Sequence, residues 1–160
     1  ISLKPVPHLV LCGAGHIAQS LASMAQVAGF RVTVVDDRPA YLSVHPFDKQ
    51  VVVKPVEQFE GCLAALQPGV NSFLLIASYS HQQDKLLLQQ ALATQAGYIG
   101  MVGSKRKREE LFSQLRATGV TEQALQRVHC PVGLAIGAQT PAEIAVSILA
   151  EMIAVLRHTL

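Results

Sequence analysis

The segment from Leu9 to Asp37 constrains the fold more than any other part of the chain. A short apolar run is followed by three small residues in a G-x-G-x-x-A pattern, then by apolar residues at helical spacing. The small residues are Gly13, Gly15 and Ala18. A second apolar run, Arg31–Val35, is rich in β-branched residues and ends at Asp36. This order of strand, glycine turn, helix and strand predicts a Rossmann-type βαβ unit.

The residues of this pattern suit a phosphorylated ligand, each through a different physical property. Gly13 permits a tight turn, and Gly15 lets a phosphate approach the backbone. The free N–H groups at the start of the helix, near His16, favour an anion. His16 is either a ligand contact or a solvent-facing residue of the first helical turn. Asp36 lies about 20 residues after the glycines, where a carboxylate can accept hydrogen bonds from ribose hydroxyls.

The rest of the chain continues the alternation of strands and helices. Further strands are predicted at 51–53, 72–77, 98–102 and 128–132. Helices are predicted at 56–66, 80–96, 104–118, 121–126 and 144–157, with a polar loop at 37–48. Ser80 and Ser104 are the predicted caps of their helices, and residues 140–143 are predicted to form a capping box with Pro141 at the first helical position. We therefore expect one domain over residues 1–160 with an α/β, Rossmann-like three-layer fold. Its mostly parallel sheet should have a strand order of about 3-2-1-4-5, with a sixth strand as a further candidate.

Composition excludes several classes of function. The chain has 160 residues, of which 50% are hydrophobic, but no apolar run is long enough to cross a membrane. A formal net charge of +2 and the absence of Trp argue against nucleic acid as a partner. The odd number of cysteines, three, and their lack of metal-ligand spacing favour a reducing, cytoplasmic location. Cys130 is either a reactive thiol or a buried, inert one.

A basic cluster near the end of the fifth strand is a second candidate anion site. Gly103 and Ser104 can present another helix start to an anion, and Lys105 can add positive charge. The remaining cations of the cluster, at 106–108, are interpreted as a solvated face. His81 follows the fourth strand and is either a ligand contact or an ordinary first-turn residue.

An NAD(P)-dependent oxidoreductase is the alternative function. Asp36 would favour NAD over NADP, because a carboxylate repels a 2′-phosphate. A dehydrogenase also needs a proton donor beside the nicotinamide, usually from a second domain, and a chain of 160 residues has no room for one. We therefore rank this alternative second.

Five motifs resemble the Rossmann domain of the xanthine dehydrogenase accessory protein family (XdhC/CoxI type). They are GAGH at 13–16, VDDRP at 35–39, His81, YIGMVGSKRK at 98–107 and PVGLAIGAQTPAEIAVSILAE at 131–151. The resemblance covers essentially the whole chain, and its last two motifs are the most specific. The chain departs from many family members at Ala135 and Gln139, where they carry Asp and Glu.

The resemblance implies an accessory protein rather than an enzyme. Family members are thought to bind molybdenum cofactor, to protect it while an oxo ligand is exchanged for sulfur, and to deliver it to a molybdenum hydroxylase. A sulfurtransferase is then a second expected partner, and an N-terminal domain with a cysteine motif is expected outside this chain. The residues carried over as cofactor contacts are Gly13, Gly15, His16, Asp36, His81, Gly103, Ser104 and Lys105. The apolar final helix, Ile144–Leu156, is expected to form a homodimer face, although burial within the monomer explains it as well.

Overall fold

The computed structural model describes residues 4–160, in which six strands form one parallel sheet and seven helices cover its two faces. The strands are β1 (His8–Cys12), β2 (Arg31–Asp36), β3 (Val52–Pro55), β4 (Ser72–Ile76), β5 (Tyr98–Met101) and β6 (Val128–His129). The helices are α1 (His16–Val27), α2 (Pro39–Val44), α3 (Cys62–Leu66), α4 (His81–Leu92), α5 (Lys105–Ala117), α6 (Glu122–Leu125) and α7 (Pro141–Leu156). The strand order is β3-β2-β1-β4-β5-β6, which confirms the predicted fold class and the sixth strand.

Strand β1 lies inside the sheet and is covered on both sides. Leu9 and Leu11 pack in the apolar layer that contains α1 and α7. Val10 and Cys12 pack in the opposite layer, with the apolar faces of α4 and α5. Burial on both faces explains why the strand is an unbroken apolar run rather than an alternating one.

The predicted starts of three helices are confirmed by their capping hydrogen bonds. The side chain of Ser80 accepts a bond from the backbone N–H of Gln83, and Ser104 accepts one from Lys107. Thr140 accepts from Glu143, whose carboxylate accepts in return from the backbone N–H of Thr140. The last pair is the capping box predicted at the start of α7.

Two predicted segments differ in kind from the structure, and two predicted elements are too long, because the helix at 80–96 ends at Leu92 and the strand at 128–132 ends at His129. The segment 56–66 is helical only in its last five residues, Cys62–Leu66, because Gly61 adopts a left-handed conformation with φ of 72° before them. At the other end of the segment, the N–H of Val56 bonds the carbonyl of Asp36 and so continues the pairing of β3 with β2. The polar loop at 37–48 contains a short helix, α2, which begins at Pro39, a residue suited to the first helical position.

Candidate functional site

Five polar or glycine-rich segments lie at the carboxyl edge of the sheet. They lie at the ends of β1, β2, β4, β5 and β6 or directly after them, at residues 13–16, 36–37, 78–81, 103–105 and 133–137. The connections from β1 and β4 lead to opposite faces of the sheet, so ligands are expected between them. A cavity of about 330 Å³ lies there. Its lining residues are Gly15, His16, Ile17, Ala18, Ala77, Ser78, Asp84, Val102, Lys107 and Pro141.

The glycine turn after β1 is tightly packed on one side and open on the other. Gly13 has φ of +113°, and a Cβ atom there would lie 2.2 Å from the carbonyl oxygen of Ala77. At Gly15, which caps α1, a Cβ atom would meet no other atom of residues 4–160 within 4 Å. The first N–H groups of a helix have no partner within it. The space beside Gly15 is therefore open to an anionic ligand atom.

Asp36 is fully buried and bonds the protein itself. Its Oδ2 atom accepts a hydrogen bond from the backbone N–H of Ala14 at 2.9 Å and one from Nη2 of Arg38 at 2.8 Å. Its Oδ1 atom accepts from the backbone N–H and from Nε of Arg38, both at 2.9 Å. The carboxylate thus holds the glycine turn in place, and a ribose could reach it only after Arg38 moved away.

Two tyrosines hold the guanidinium of Arg38 in this position. Its central carbon lies 4.1 Å from the ring centroid of Tyr41 and 4.5 Å from that of Tyr79. The hydroxyl of Tyr79 donates to Asp37 at 2.7 Å. The arginine pairs with Asp36, at 2.8 Å, rather than with the neighbouring Asp37. Among residues 4–160, the Oδ1 atom of Asp37 is the one buried side-chain oxygen or nitrogen that lacks a hydrogen-bond partner.

A buried ion pair forms another wall of the cavity. Lys107, with 12% of its side chain exposed, donates from Nζ to Oδ2 of Asp84, with 3% exposed. Nζ also donates to the carbonyl of Val102 at 2.9 Å, and Oδ1 of Asp84 accepts from the backbone N–H of Ser78 at 2.9 Å. A Cβ atom at Gly103 would lie 2.6 Å from Cδ of Lys107. The glycine therefore leaves room for the lysine to cross the turn between β5 and α5.

The other predicted contacts lie around the cavity at varying distances. His16 is exposed and lines it, whereas His81 is exposed in a neighbouring cleft between α4 and α5. The hydroxyl of Ser104 serves as the cap of α5. Lys105 is exposed and lines a different, apolar pocket.

This apolar pocket, of about 590 Å³, lies beside the first one and shares Val102 with it. The loop after β6 supplies most of its wall, including the exposed side chains of Leu134 and Ile136. Cys130, at the base of this loop, is buried, and its Sγ lies 3.8 Å from the carbonyl oxygen of Gly103. Burial raises the pKa of the Cys130 thiol, so the geometry favours the inert interpretation over the reactive one.

Two kinds of feature are absent from the part of the chain that the structure describes. Residues 4–160 bring together no group of three or more His, Cys, Asp or Glu side chains that could hold a metal ion. None of the helices within these residues is long and apolar enough to cross a membrane.

Comparison with known families decides what kind of domain this is. The family model described as the XdhC Rossmann domain matches residues 9–152. The chain belongs to the XdhC family. The resemblance that the motifs suggested is thereby confirmed, and the cavity between the connections from β1 and β4 lies within the part of the chain that the family model matches.

Curated relatives of this XdhC domain are longer proteins. The domain is 37% identical over 149 residues to the uncharacterized protein YqeB of Escherichia coli (strain K12), and the match covers 93% of the chain and 27% of the relative. It is 34% identical over 153 residues to a protein of Bacillus subtilis (strain 168) named as a probable subunit of xanthine dehydrogenase, covering 94% of the chain and 43% of the relative. It is 22% identical over 158 residues to the molybdenum cofactor insertion chaperone PaoD of Escherichia coli (strain K12), covering 99% of the chain and 43% of the relative. The XdhC domain thus spans less than half the length of each.

A solved structure shows the same fold. The crystal structure of a protein described as a xanthine dehydrogenase, from Bacillus halodurans, superimposes with a TM-score of 0.82 at 30% sequence identity. The match covers 97% of this XdhC domain and 44% of the solved chain.

Sequence reasoning missed the ion pair of the XdhC domain, although the sequence contains a signal for it. Lys107 precedes the buried Leu111 by four residues, and Asp84 precedes the buried Leu88 by four. Residues four apart lie on the same face of a helix. Each charged residue therefore lies on the inward face of the first turn of its helix, where its side chain is expected to contact the protein rather than water.

Proposed function

We propose that this domain binds molybdenum cofactor and delivers it to a molybdenum hydroxylase of the xanthine dehydrogenase type. The observation that carries the proposal is one cavity lined by the glycine turn, the N-terminus of α1 and a largely buried lysine, Lys107. Family membership and the names of two relatives support it from outside the structure. The cofactor is the cargo of such a maturation factor rather than its resident group.

The chemistry of the cofactor matches the two ends of the site. Its phosphate, with or without a nucleotide, would lie on the turn at 13–16, where helix N–H groups favour an anion. Its pterin and metal end would point towards His81 and the loop that begins at Cys130. The apolar pocket beside this loop offers surface for a ring system. The expected contacts at Gly103, Ser104 and Lys105 border the same edge of the sheet.

The dinucleotide alternative finds less support in the geometry. An NAD ribose normally bonds the acid at the end of the second strand. Here both oxygens of Asp36 already accept bonds, and Arg38 lies over them between two tyrosine rings. Binding of NAD would require this arrangement to open, at the cost of an ion pair.

Protein partners follow from the proposed role. A maturation factor must contact the hydroxylase that it serves, and sulfur exchange on the cofactor would bring a sulfurtransferase to the same edge of the sheet. A homodimer through α7 is also part of the proposal.

Titration of the purified chain with anaerobically released molybdenum cofactor, and in parallel with NAD, tests the proposed function. We expect saturable binding of the cofactor and none of NAD. Gly15→Asp should abolish cofactor binding, because it places a carboxylate where the phosphate lies. Asp is a favourable helix cap, so the variant should fold.

Thr121→Asp is the matched control, because it adds the same charge at the exposed cap of α6. Its cofactor binding should equal that of the unmodified chain. Unchanged cofactor retention in a folded Gly15→Asp variant, or binding of NAD alone, would contradict the proposal.

A further inference from the structure

We propose that Lys107, rather than Lys105, is the side chain that binds the phosphate end of the cargo. This inference rests on the proposed function and names the cation within the same site. It assigns a ligand-binding role to a residue that the sequence pattern places in a solvated basic face.

The position of the lysine side chain supports this assignment. Lys107 lines the cavity that Gly15 and His16 also line, so the lysine and the start of α1 face one space. The side chain of Lys105 is exposed and borders the apolar pocket instead. Lys107 also borders the clefts beside His81, but of the two lysines on this helical turn it alone lines the cavity that contains the glycine turn.

The hydrogen bonds of the ammonium group leave one donor for a ligand. A lysine ammonium has three N–H groups. Within residues 4–160, one donates to Asp84 and one to the carbonyl of Val102. These two bonds fix the direction of the third N–H group, which is then available to an anion in the cavity.

A role in ligand binding explains the burial of the Asp84–Lys107 ion pair better than a contribution to folding stability does. Two charges taken out of water lose hydration energy that their mutual attraction often fails to recover. Apolar residues at the same positions would pack α4 and α5 together without that loss. Asp84 also bonds the backbone N–H of Ser78, so it holds the turn after β4 and the lysine in one arrangement. Such a preorganised cation beside a helix N-terminus suits a phosphate monoester or diphosphate.

The test removes the pair without leaving a buried charge. Lys107→Met alone would leave Asp84 buried and unpaired, so the variant of choice is the double substitution Asp84→Asn with Lys107→Met. Asn is chosen at the first position because its amide oxygen can still accept the bond from the backbone N–H of Ser78. The double variant keeps the net charge of the chain. We expect it to melt within a few degrees of the unmodified protein and to bind molybdenum cofactor about tenfold more weakly, or worse.

The matched control removes an exposed ion pair from the same helix. Arg106 bonds Glu110 at 3.2 Å, and Arg106→Met with Glu110→Gln also keeps the net charge. This control should bind cofactor as the unmodified chain does. Lys105→Met tests the competing assignment directly. Full binding by the folded Asp84→Asn/Lys107→Met variant, or a larger loss with Lys105→Met, would overturn the inference.

Inorganic pyrophosphate, titrated by calorimetry, separates the inference from the function on which it rests. If pyrophosphate binding depends on Lys107 but the cofactor does not bind, the inference stands and the proposed function fails. If the cofactor binds equally to the unmodified chain and the double variant, the function stands and the inference fails. If the unmodified chain binds neither compound, both fail.

Discussion

At the scale of single residues, the two glycines of the turn between β1 and α1 have different surroundings. A side chain at Gly13 would overlap the carbonyl of Ala77, in a backbone conformation with φ of +113°. We expect Gly13→Ala to lower the free energy of unfolding by about 2–5 kcal/mol, from backbone strain and overlap together. Gly15→Ala should cost less than about 1 kcal/mol, because the position is open and only a helix cap changes. Urea denaturation of both variants measures the difference.

Gly15→Ala, which should change the free energy of unfolding less than Gly13→Ala, should have a clear effect on affinity for the cofactor. Gly15→Ala fills the space through which a phosphate approaches the backbone, so this variant should stay folded while losing affinity for the cofactor. Equal loss of stability in the two variants would show that the turn is not packed as described.

Residue roles at the site were only partly predictable. The glycines follow from a local pattern, since a tight turn and a close approach of a ligand both require residues without a side chain. The partner of Asp36 could not be predicted from a local pattern, because an acid at the end of a strand can bond a ribose or a neighbouring arginine. Which of the two it bonds depends on the tyrosines that hold Arg38. Lys105 and Lys107 line different pockets, and which pocket each of them lines depends on the phase of α5, which its cap at Ser104 sets.

At the scale of elements, the start of α7 combines a capping box with a charge effect. The carboxylate of Glu143 accepts bonds from the backbone N–H groups of Gln139 and Thr140, at 2.9 and 3.1 Å. These bonds hold the pKa of Glu143 below its usual range. A carboxyl group with a lowered pKa in the folded state stabilises that state above its unfolded pKa of about 4.3. The contribution is lost as the pH falls through the lower, folded-state value.

Glu143→Gln tests this effect, because Gln can still accept the two backbone bonds but carries no charge. The unmodified chain should be the more stable of the two at pH 7, and the difference should vanish towards pH 3. Chemical denaturation at several pH values measures it, with the exposed Glu57→Gln as the matched control. A stability difference that stays constant from pH 7 to pH 3 would contradict the proposed role of the charge.

At the scale of the whole molecule, the alternation of strands and helices along the sequence was enough to predict the fold class and the order of the strands in the sheet. Apolar runs at β1, β2, β4 and β5 are long enough to identify. Of the described helices, α4, α5, α6 and α7 carry side-chain caps at their starts. The segment before α3 could not be predicted from its apolar spacing, because its first residue continues the pairing of β3 with β2. Local pattern gives the layers of the fold, whereas contacts distant in sequence decide where irregular segments lie.

The outer face of α7 makes a homodimer a specific prediction. Most of the apolar residues of this helix pack against α1 and the sheet, which supports burial within the monomer. Val146 and Ile153, however, are 48% and 38% exposed and lie seven residues, or two helical turns, apart on one face. We expect the unmodified chain to be a dimer in light scattering, and Val146→Glu with Ile153→Glu to convert it to a monomer with unchanged circular dichroism.

A control with the same chemistry distinguishes this face from the rest of the surface. Val27 and Val70 are 91% and 71% exposed and lie outside α7, at the end of α1 and before β4. Their double replacement by Glu adds the same two charges and should leave the dimer intact. A stable dimer buries roughly 1,200–2,000 Å² in total. Both protomers contribute the same face to a symmetric interface, so the double variant places four unpaired acidic groups inside that area, and their desolvation should separate the protomers. A monomer at high concentration of the unmodified chain would refute the prediction and assign the apolar character of α7 to the core alone.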